Sequence, residues 1–590
     1  MAFTFGPVVS SDAVLFRFWA PLHDAITLVI EGEDDRRMER SPEGWHTLRV
    51  EGAGPGTRYR FRLPDGLEVP DPASRHQPED VHGPSEVVDL AAYRWKSVEW
   101  AGRPWEEVVL YELHTGTFTK EGTFRTAIDK LDGLKEIGVT AIQIMPIADF
   151  PGRYNWGYDG VLPYAPDNSY GRPEDLMALV DAAHARGIAV FLDVVYNHFG
   201  PDGNYLPLYA PLFTENHKTP WGNGINYDGE NSKPVRDFVI ENAISWITEF
   251  KIDGLRLDAV HAIKDDNGEH LLVELARRVR ESARGRHVHL VVENEDNDSD
   301  LLKRNPDGSV PLYTAQWNDD IHHVLHIAAT GETFGYYADY AENRPEKTAR
   351  ALAEGFVFQG EHMPYRGEAR GKPSAGLPPT AFISFIQNHD QIGNRALGDR
   401  MIVSQPLEAI KAVAAVYLLS PQIPMLFMGE EWGAREPFPY FCDFNEELNE
   451  KVRKGRREEL SRLPGFDADD LMDPTALETF ASGTLDWSQR ETPEGRALIK
   501  FYRSLLTLRQ ERITPLLKGV GGDSGRFEAE GETLAVSWTL AGGKRLALAA
   551  NPSNRPAPLP KDQQEAEVLY LLGTADDGAL GPWSVRWTLG

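Results

Sequence analysis

Acidic and histidine side chains recur directly after apolar stretches of this chain. Each stretch has the length and composition of a buried strand and is followed by residue types that serve as acids, bases or hydrogen-bonding partners. Taken singly, an aspartate after a strand is more often a helix cap or a turn residue. Charged groups after several consecutive buried strands are unfavourable unless they are paired or used, so the recurrence points to one shared site. The residues are Asp193, Asn197 and His198 of DVVYNH, Arg256 and Asp258 of GLRLDAVHAI, Glu293 of HLVVENEDN, and Gln387, Asn388, His389 and Asp390 of FIQNHDQIGNR.

Two of these acids could act as a carboxylate pair. Arg256 and Asp258 are two residues apart in a strand and therefore point to the same side, where the guanidinium would keep Asp258 ionised, as a nucleophile requires. Glu293, on the next strand, would suit the opposite role if burial and nearby acids keep it protonated, and Glu295 is its near rival. One ionised and one protonated acid can hydrolyse a glycosidic bond, with retention of configuration when the carboxyls lie about 5–5.5 Å apart. The sequence leaves that distance open.

The strands that carry these residues alternate with helices from about Trp105 onward. Thr123 is a predicted N-cap of a helix that ends near Gly138, and Pro173 opens a helix that precedes the strand 189–195. A further helix, over about 237–250, leads into 254–258. This alternation predicts a parallel sheet covered by helices, and we expect a (β/α)8 TIM barrel over residues 96–513 rather than a doubly wound sheet. The residues above would then meet at the carboxyl ends of the strands.

Short alternating stretches divided by turn residues flank this region. Residues 1–95 contain the turn signals GAGPG and PDG, and we predict an N-terminal β-sandwich that resembles a carbohydrate-binding module. Residues 514–590 contain a hairpin pattern over 533–551 and are predicted to form a C-terminal β-sandwich of antiparallel strands. The segment 445–490 is strongly charged with little periodicity, and we expect it to be irregular.

The overall charge argues against several kinds of partner. Among 590 residues, 90 Asp and Glu against 61 Lys and Arg give a formal net charge of −29, which repels nucleic acid and anionic membrane surfaces. The uncharged run 412–429 contains two prolines and is interpreted as a buried helix followed by a buried strand rather than a membrane span. We find no signal-peptide pattern, and the single cysteine, Cys442, excludes an intrachain disulfide. We therefore expect a cytoplasmic protein.

Four segments resemble, in order, the signature regions of the α-amylase superfamily, glycoside hydrolase family 13: DVVYNH (193–198), GLRLDAVH (254–261), the glutamate after HLVV, and FIQNHD (385–390). This resemblance implies that Asp258 is the nucleophile, Glu293 the general acid/base and Asp390 a third carboxylate that binds sugar hydroxyls. It also implies that Arg256, His198 and His389 bind sugar by hydrogen bonds and that Tyr158 stacks on it. We predict further sugar contacts at Asp193, Asn197, Trp156, Trp221, His261 and Gln391. For the aromatic residues, packing in the core or in a loop is the open alternative.

Further segments, among them HTGTFTKEGTF (114–124), MPIADFPGRYNWGYDG (145–160) and PMLFMGEEWGAREPFPYFCDF (424–444), are similar to the maltooligosyltrehalose trehalohydrolase family. Membership would imply retaining hydrolysis of the α-1,4-glucosidic bond next to the terminal trehalose unit of maltooligosyl trehalose, with release of free trehalose. No cofactor or metal is expected, since the chemistry needs none, and the protein would be a monomer or a homodimer. The alternatives are a 1,4-α-glucan branching enzyme of the same superfamily and a non-catalytic glucan-binding protein.

Overall fold

Eight parallel strands form a closed barrel at the centre of the computed structural model, which describes residues 3–283, 285–461, 471–561, 567–576 and 578–590. Each strand pairs with the next along the chain, and the last pairs with the first. The expected (β/α)8 fold is confirmed. We number the barrel strands β1 to β8 in chain order: Leu110–Leu113, Ala141–Ile144, Ala189–Val194, Gly254–Leu257, His289–Val292, Ala315–Trp317, Phe382–Ser384 and Ile423–Phe427.

Helices connect the strands and cover the outside of the barrel. The connection from β5 to β6 is the exception, because its residues, all of them described, contain the 3₁₀ turn Ser299–Leu302 and no α-helix. Pro173–Ala185 begins at its proline, as predicted, and Leu407–Leu419 followed by β8 is the buried helix and strand expected for the uncharged run. The other long helices around the barrel are Leu131–Ile137, Ser232–Thr248, Leu271–Ser282, Asp319–Thr330, Arg344–Glu354 and Pro493–Leu508, and shorter ones are Thr115–Phe118, Phe124–Ile128, Ala338–Ala341, His389–Gly393 and Met401–Ser404.

One predicted helix is divided in two. The Thr123 side chain accepts the Thr126 amide and so caps a helix, but that helix ends at Ile128. A second helix, Leu131–Ile137, then ends at Gly138, whose φ of 103° suits glycine. The sequence therefore indicated both ends correctly and missed the break between them.

Antiparallel sheets precede and follow the barrel in the chain. In the N-terminal pair of sheets, Phe18 of one stacks on Phe61 of the other at 4.2 Å, as in a β-sandwich. The predicted hairpin pairs Thr533–Thr539 with Arg545–Asn551. The exact domain boundaries at 95/96 and 513/514 stay predictions. One N-terminal sheet contains Val8–Val9, Ala13–Trp19, Trp45–Glu51 and Glu39–Arg40, and the other contains Arg36–Arg37, Thr27–Ile30, Arg58–Arg62, Glu68–Val69 and Ser85–Glu86. One C-terminal sheet contains Gly525–Glu530, Thr533–Thr539, Arg545–Asn551, Ser584–Leu589 and Val568–Leu572, and the other contains Ala557–Pro558, Ala579–Leu580 and Ala575–Asp576.

The prediction that 445–490 is irregular was wrong. Asn445 accepts the Leu448 amide at the start of the helix Glu446–Leu460, and the shorter helix Leu477–Ser482 follows; residues 462–470 lie outside the described residues. The long helix buries few residues and is held partly by ion pairs along its surface, such as Lys451 with Glu447 at 2.7 Å. It therefore lacks the apolar stripe by which periodicity reveals a helix.

No helix among the described residues is both long and apolar enough to span a membrane.

A buried carboxylate holds the amino-terminal end of the barrel together. Asp253, directly before β4, is bonded to His184 Nε2 at 2.7 Å, to the Trp100 indole at 2.8 Å, to the Val190 amide at 2.9 Å and to Arg286 Nη2 at 2.8 Å. Burial by itself would raise the pKa of Asp253, but these partners outweigh it and lower the pKa. The carboxylate thus connects β3 and β4 with the helix Pro173–Ala185 and with the two loop segments that contain Trp100 and Arg286.

Replacing Asp253 with alanine should lower the free energy of unfolding by about 3–5 kcal/mol, because Arg286 and the other donors lose their buried acceptor. Urea unfolding at pH 7 measures the change, and Asp34→Ala, at an exposed aspartate, is the control. A loss no larger than that of the control would show that the carboxylate does not stabilise the barrel.

Candidate active site

One buried guanidinium contacts three of the predicted site acids. The pairing of β3 with β4 sets Asp193 beside Arg256, and neither side chain is exposed to solvent. Arg256 Nη1 lies 2.9 and 2.7 Å from the two carboxylate oxygens of Asp193 and 2.8 Å from Asp258 Oδ1. Its Nη2 lies 3.8 Å from Glu293 Oε2. Residues at or directly after the carboxyl ends of three consecutive strands therefore meet at one end of the barrel, as expected.

An aromatic ring packs against one face of this guanidinium. The guanidinium carbon of Arg256 lies 4.2 Å from the ring centroid of Trp317, the last residue of β6. A cation over an aromatic face is attracted to it, and more strongly where water is excluded. The ring thus fixes the plane in which Arg256 presents its donors.

Asp258 directly follows β4 and is held by two donors. Besides Arg256, Asn197 Nδ2 donates to Asp258 Oδ2 at 2.9 Å and to its main-chain oxygen at 2.8 Å. The chain then turns sharply, because Ala259 has a φ of 41°, a left-handed conformation that is unusual for alanine. Such strain is common at functional sites. Hydrogen bonds to both oxygens suit a carboxylate that must act as a nucleophile.

Glu293 directly follows β5, whereas the side chain of its rival Glu295 is 64% exposed. Glu293 Oε2 accepts the Ala259 amide at 2.6 Å. Burial raises the pKa of Glu293 well above its usual range, Arg256 opposes the rise, and the charge of Asp258 adds to it. A glutamate whose raised pKa lets it keep its proton is what general acid catalysis needs.

His389 is oriented by an acid that the sequence analysis did not single out. Glu112 of β1 is fully buried; its Oε1 lies 2.7 Å from His389 Nδ1, and its Oε2 accepts the His389 amide at 3.0 Å. Burial would lower the pKa of His389, but Asp390 and Glu112 outweigh it and raise the pKa to about 9. His389 is thus an imidazolium at neutral pH. The available signal was a lone acid inside the apolar stretch VVLYEL (108–113).

Tyr158 joins the histidine to the arginine network. Its hydroxyl donates to Asp193 Oδ2 at 2.8 Å and lies 2.8 Å from His389 Nε2. Burial raises the pKa of Asp193 to about 7, although Arg256 opposes the rise. The ring of Tyr158 is stacked on that of His389 with centroids 5.1 Å apart. A continuous set of contacts therefore runs from Glu112 to Asp258.

A cleft of about 570 Å³ opens above these groups. Gln391 lies apart from it: its Oε1 is 3.5 Å from the Tyr336 hydroxyl, and it lines a separate small cavity. Asp193, Arg256 and Asn197 are buried and reach the cleft through their contacts with Asp258 and Tyr158. The predicted site residues that line the cleft are Asp258, Glu293, Asp390, His198, His389, Tyr158, Trp156, Trp221 and His261.

The two tryptophans of the cleft differ in exposure. Trp156 is only 4% exposed, donates its indole N–H to Pro439 and stacks on Phe438 at 5.5 Å, so packing accounts for most of its surface. Trp221 is 50% exposed and stacks on His198 with centroids 4.4 Å apart and an interplanar angle of 8°. Trp221 is therefore the better candidate for stacking on a sugar ring.

One wall of the cleft comes from the unexpected helix Glu446–Leu460. Its residues Val452, Gly455, Arg456 and Glu459 line the cleft. Arg456 donates to Asn394 Oδ1 at 3.1 Å and to the Gly393 carbonyl at 2.5 Å, at the end of the short helix that carries Asp390. The helix and the third carboxylate are thus joined.

His217, Asp228 and Asp266 are the residue types that could hold a metal ion, and their ligand atoms lie within 4.8 Å of one another. Two of them already pair: His217 Nε2 lies 2.6 Å from Asp228 Oδ2, which also accepts the Asp266 amide at 2.8 Å. The Asp266 side chain is 88% exposed. These hydrogen bonds explain the grouping without an ion, and the expectation that no metal is needed stays a prediction.

Comparisons with known proteins agree with this geometry. The family model for "Alpha amylase, catalytic domain" matches residues 97–208, and a domain of unknown function, DUF3459, matches 522–587. The malto-oligosyltrehalose trehalohydrolase of Saccharolobus solfataricus is 43% identical over 86% of this chain and 87% of its own, and that of Deinococcus radiodurans is 42% identical over 92% and 88%. A crystal structure from Salmonella typhimurium, described provisionally as an α-amylase, covers 100% of both chains with 47% identity and a TM-score of 0.96.

The barrel, the pair of acids and these matches define a glycosidase of the α-amylase class, which acts on carbohydrate. Within that class, the chain belongs to the malto-oligosyltrehalose trehalohydrolase family. The resemblance drawn from the sequence motifs is confirmed.

Replacing Glu112 with glutamine should weaken the pH dependence of stability. A histidine whose pKa rises on folding from 6.5 to about 9 contributes stability that is complete below pH 6.5 and is lost as the pH rises through 9. Without the Glu112 carboxylate the pKa of His389 falls, so the variant should lose less stability than the wild type between pH 6.5 and 9. Urea unfolding at several pH values across this range measures the difference.

Glu121→Gln, at an exposed glutamate, is the matched control and should follow the wild type. Parallel stability curves for the wild type and Glu112→Gln would contradict the assignment of an imidazolium to His389.

Proposed function

We propose that this protein is a retaining glycoside hydrolase that cleaves the α-1,4-glucosidic bond next to the terminal trehalose unit of maltooligosyl trehalose and releases trehalose. The main observation behind this proposal is that Asp258 and Glu293 both contact the Arg256 guanidinium and both line the cleft. Membership in the trehalohydrolase family supports the choice of substrate. The maltooligosyl chain would occupy the subsites on the Asp258 side of the bond, and trehalose would leave from the other side.

The two acids exchange roles through their charges. Glu293 protonates the departing trehalose oxygen while Asp258 attacks the anomeric carbon and forms a glycosyl ester. Esterification removes the negative charge of Asp258, one of the causes that raise the pKa of Glu293. The pKa of Glu293 therefore falls, and the glutamate stays ionised after it has given up its proton, as a general base must. It then takes a proton from water, which hydrolyses the ester and returns both acids to their first state.

Polar groups around the pair suit a neutral sugar. The Asp390 side chain is 46% exposed at the cleft and can accept hydrogen bonds from sugar hydroxyls. The exposed ring of Trp221 offers a stacking surface, and stacking needs no positive charge on the protein. The cytoplasmic location, the monomeric or dimeric state and the absence of a cofactor remain part of the proposal.

Incubation with maltooligosyl trehalose should yield free trehalose and a shortened maltooligosaccharide. Because retention is expected, proton NMR should first detect the shortened maltooligosaccharide with its new reducing end in the α-anomeric form. Linear maltooligosaccharides serve as the parallel substrate. New α-1,6 linkages, or the absence of free trehalose, would contradict the proposal and favour a branching enzyme, and binding without turnover would favour a glucan-binding protein.

Asp258→Ala should lower kcat by at least about 10³-fold, since the nucleophile is lost. The variant should remain folded and still bind maltooligosaccharides by calorimetry. Azide, a small nucleophile that fits the vacated space, should restore part of the turnover and give a β-glycosyl azide.

Glu293→Gln should lower kcat by about 10²-fold or more. The chain supplies a matched control in Glu295→Gln, at the neighbouring acid of the same cleft, which should keep kcat within about tenfold of the wild type. Equal losses in the two glutamate variants would overturn the assignment of Glu293 as the acid.

A further inference from the structure

A second and larger cavity lies at the opposite end of the barrel from the cleft. It encloses about 1600 Å³. Its lining includes Thr140, Gly187, Val288, Thr314 and Thr380, each of which lies one or two residues before a barrel strand. These positions mark the amino ends of the parallel strands, whereas the cleft lies at their carboxyl ends. The cavity is therefore separate from the proposed catalytic site.

This cavity is basic in a strongly acidic protein. Seven of its lining residues are arginine or lysine and three are acidic, whereas the whole chain has 61 Lys and Arg against 90 Asp and Glu. A concave surface lined by charge of one sign concentrates its field and attracts ions of the opposite sign. The local excess of positive charge thus points to an anion.

Two arginines of the cavity form no ion pair with any carboxylate that the structure describes. Arg280 Nε donates to the Leu312 carbonyl at 2.9 Å, and Arg304 Nη2 donates to the Thr314 carbonyl at 2.5 Å. Carbonyl oxygens orient both guanidiniums but do not neutralise them. Burial, together with repulsion from Arg280, lowers the pKa of Arg304 to about 10, although Glu106 opposes the shift. Arg304 therefore still carries its charge at neutral pH.

The remaining cations of the cavity differ in their pairing. Arg103, Arg186 and Arg286 are paired with acids, at 2.9 Å from Glu107, 2.8 Å from Asp132 and 2.8 Å from Asp253 respectively. The other two cations, Lys135 and Lys518, are exposed. The excess positive charge therefore comes from the guanidiniums of Arg280 and Arg304 and from two exposed lysines, for which the described residues show no ion pair.

We propose that this cavity binds a small molecule that carries phosphate. A phosphoryl group brings close to two negative charges at neutral pH and three acceptor oxygens, and guanidinium donors match such oxygens in pairs. The volume exceeds what a lone phosphate ion needs and leaves room for an attached organic group. A neutral glucan, the substrate class of the cleft, would leave Arg280 and Arg304 uncompensated.

Calorimetric titration of the full chain with inorganic pyrophosphate and, separately, with glucose 6-phosphate tests the proposal, at pH 7.5 and constant ionic strength. We expect saturable binding at one site per chain. Arg304→Gln should weaken it by about tenfold or more, as expected for loss of a charged hydrogen-bonding group. Binding of the sugar phosphate alone would assign the site to phosphate esters, and binding of pyrophosphate alone to inorganic phosphates.

Two further variants keep the test decisive. Lys135→Ala combined with Lys518→Ala changes exposed residues of the cavity, so it should weaken binding without affecting folding even if Arg304→Gln is unstable. Lys500→Ala, at an exposed lysine elsewhere on the surface, should bind as the wild type does, as should Asp258→Ala. The proposal would be overturned if neither probe showed saturable binding. It would also be overturned if the cavity variants bound the probes as well as the control does, or if Asp258→Ala lost binding.

Discussion

The candidate active site depends on the burial of one positive charge. Arg256 is fully enclosed by protein, and a buried guanidinium without partners would destabilise the barrel by several kcal/mol. Asp193 and Asp258 accept its hydrogen bonds, and Trp317 lies against its face. The contacts that make this charge tolerable are the same ones that direct Asp258 towards the cleft. Stability at the mouth of the barrel and the position of Asp258, the proposed nucleophile, therefore rest on one interaction.

The same guanidinium separates the two acids chemically. Asp258 lies 2.8 Å from Arg256, whereas Glu293 lies 3.8 Å away and accepts one main-chain amide instead. The arginine therefore compensates the charge of Asp258 more fully than that of Glu293, for which burial prevails and raises the pKa. A raised pKa suits Glu293 to the role of proton donor that we propose for it. At the other end of this network, the Glu112 carboxylate lies 2.7 Å from His389 Nδ1 and raises the pKa of that histidine.

The net charge of the whole protein does not decide which small ions a single cavity can bind. The value of −29 argues against long polyanions such as nucleic acid, which would meet the whole surface. At physiological salt, however, exposed charges are screened beyond about 8 Å. A cavity that holds Arg280 and Arg304 can therefore attract a small anion at the amino end of the barrel, while the opposite end receives a neutral sugar.

The sequence by itself determined the barrel and most of the site. Alternating strands and helices predict the fold because parallel strands need helical connections. Asp258 and Glu293 directly follow their strands, and Asp390 lies in the short helix after β7, so all three were found among the residues that follow strands whose ends converge in any such barrel. The four signature segments indicated the α-amylase superfamily, and further segments, among them 114–124, 145–160 and 424–444, indicated the trehalohydrolase family. Composition and spacing alone could do neither.

Only the tertiary structure decided which groups are paired and which remain uncompensated. Glu112 supports His389 from another strand, 277 residues away in the chain, and no local pattern encodes that contact. The helix Glu446–Leu460 forms a wall of the cleft although its exposed, charged sequence carries no apolar stripe. The basic cavity combines residues from helices and loops spread over much of the chain. Such features depend on distances between side chains remote in sequence, because charge compensation and burial are set by packing rather than by the order of residues.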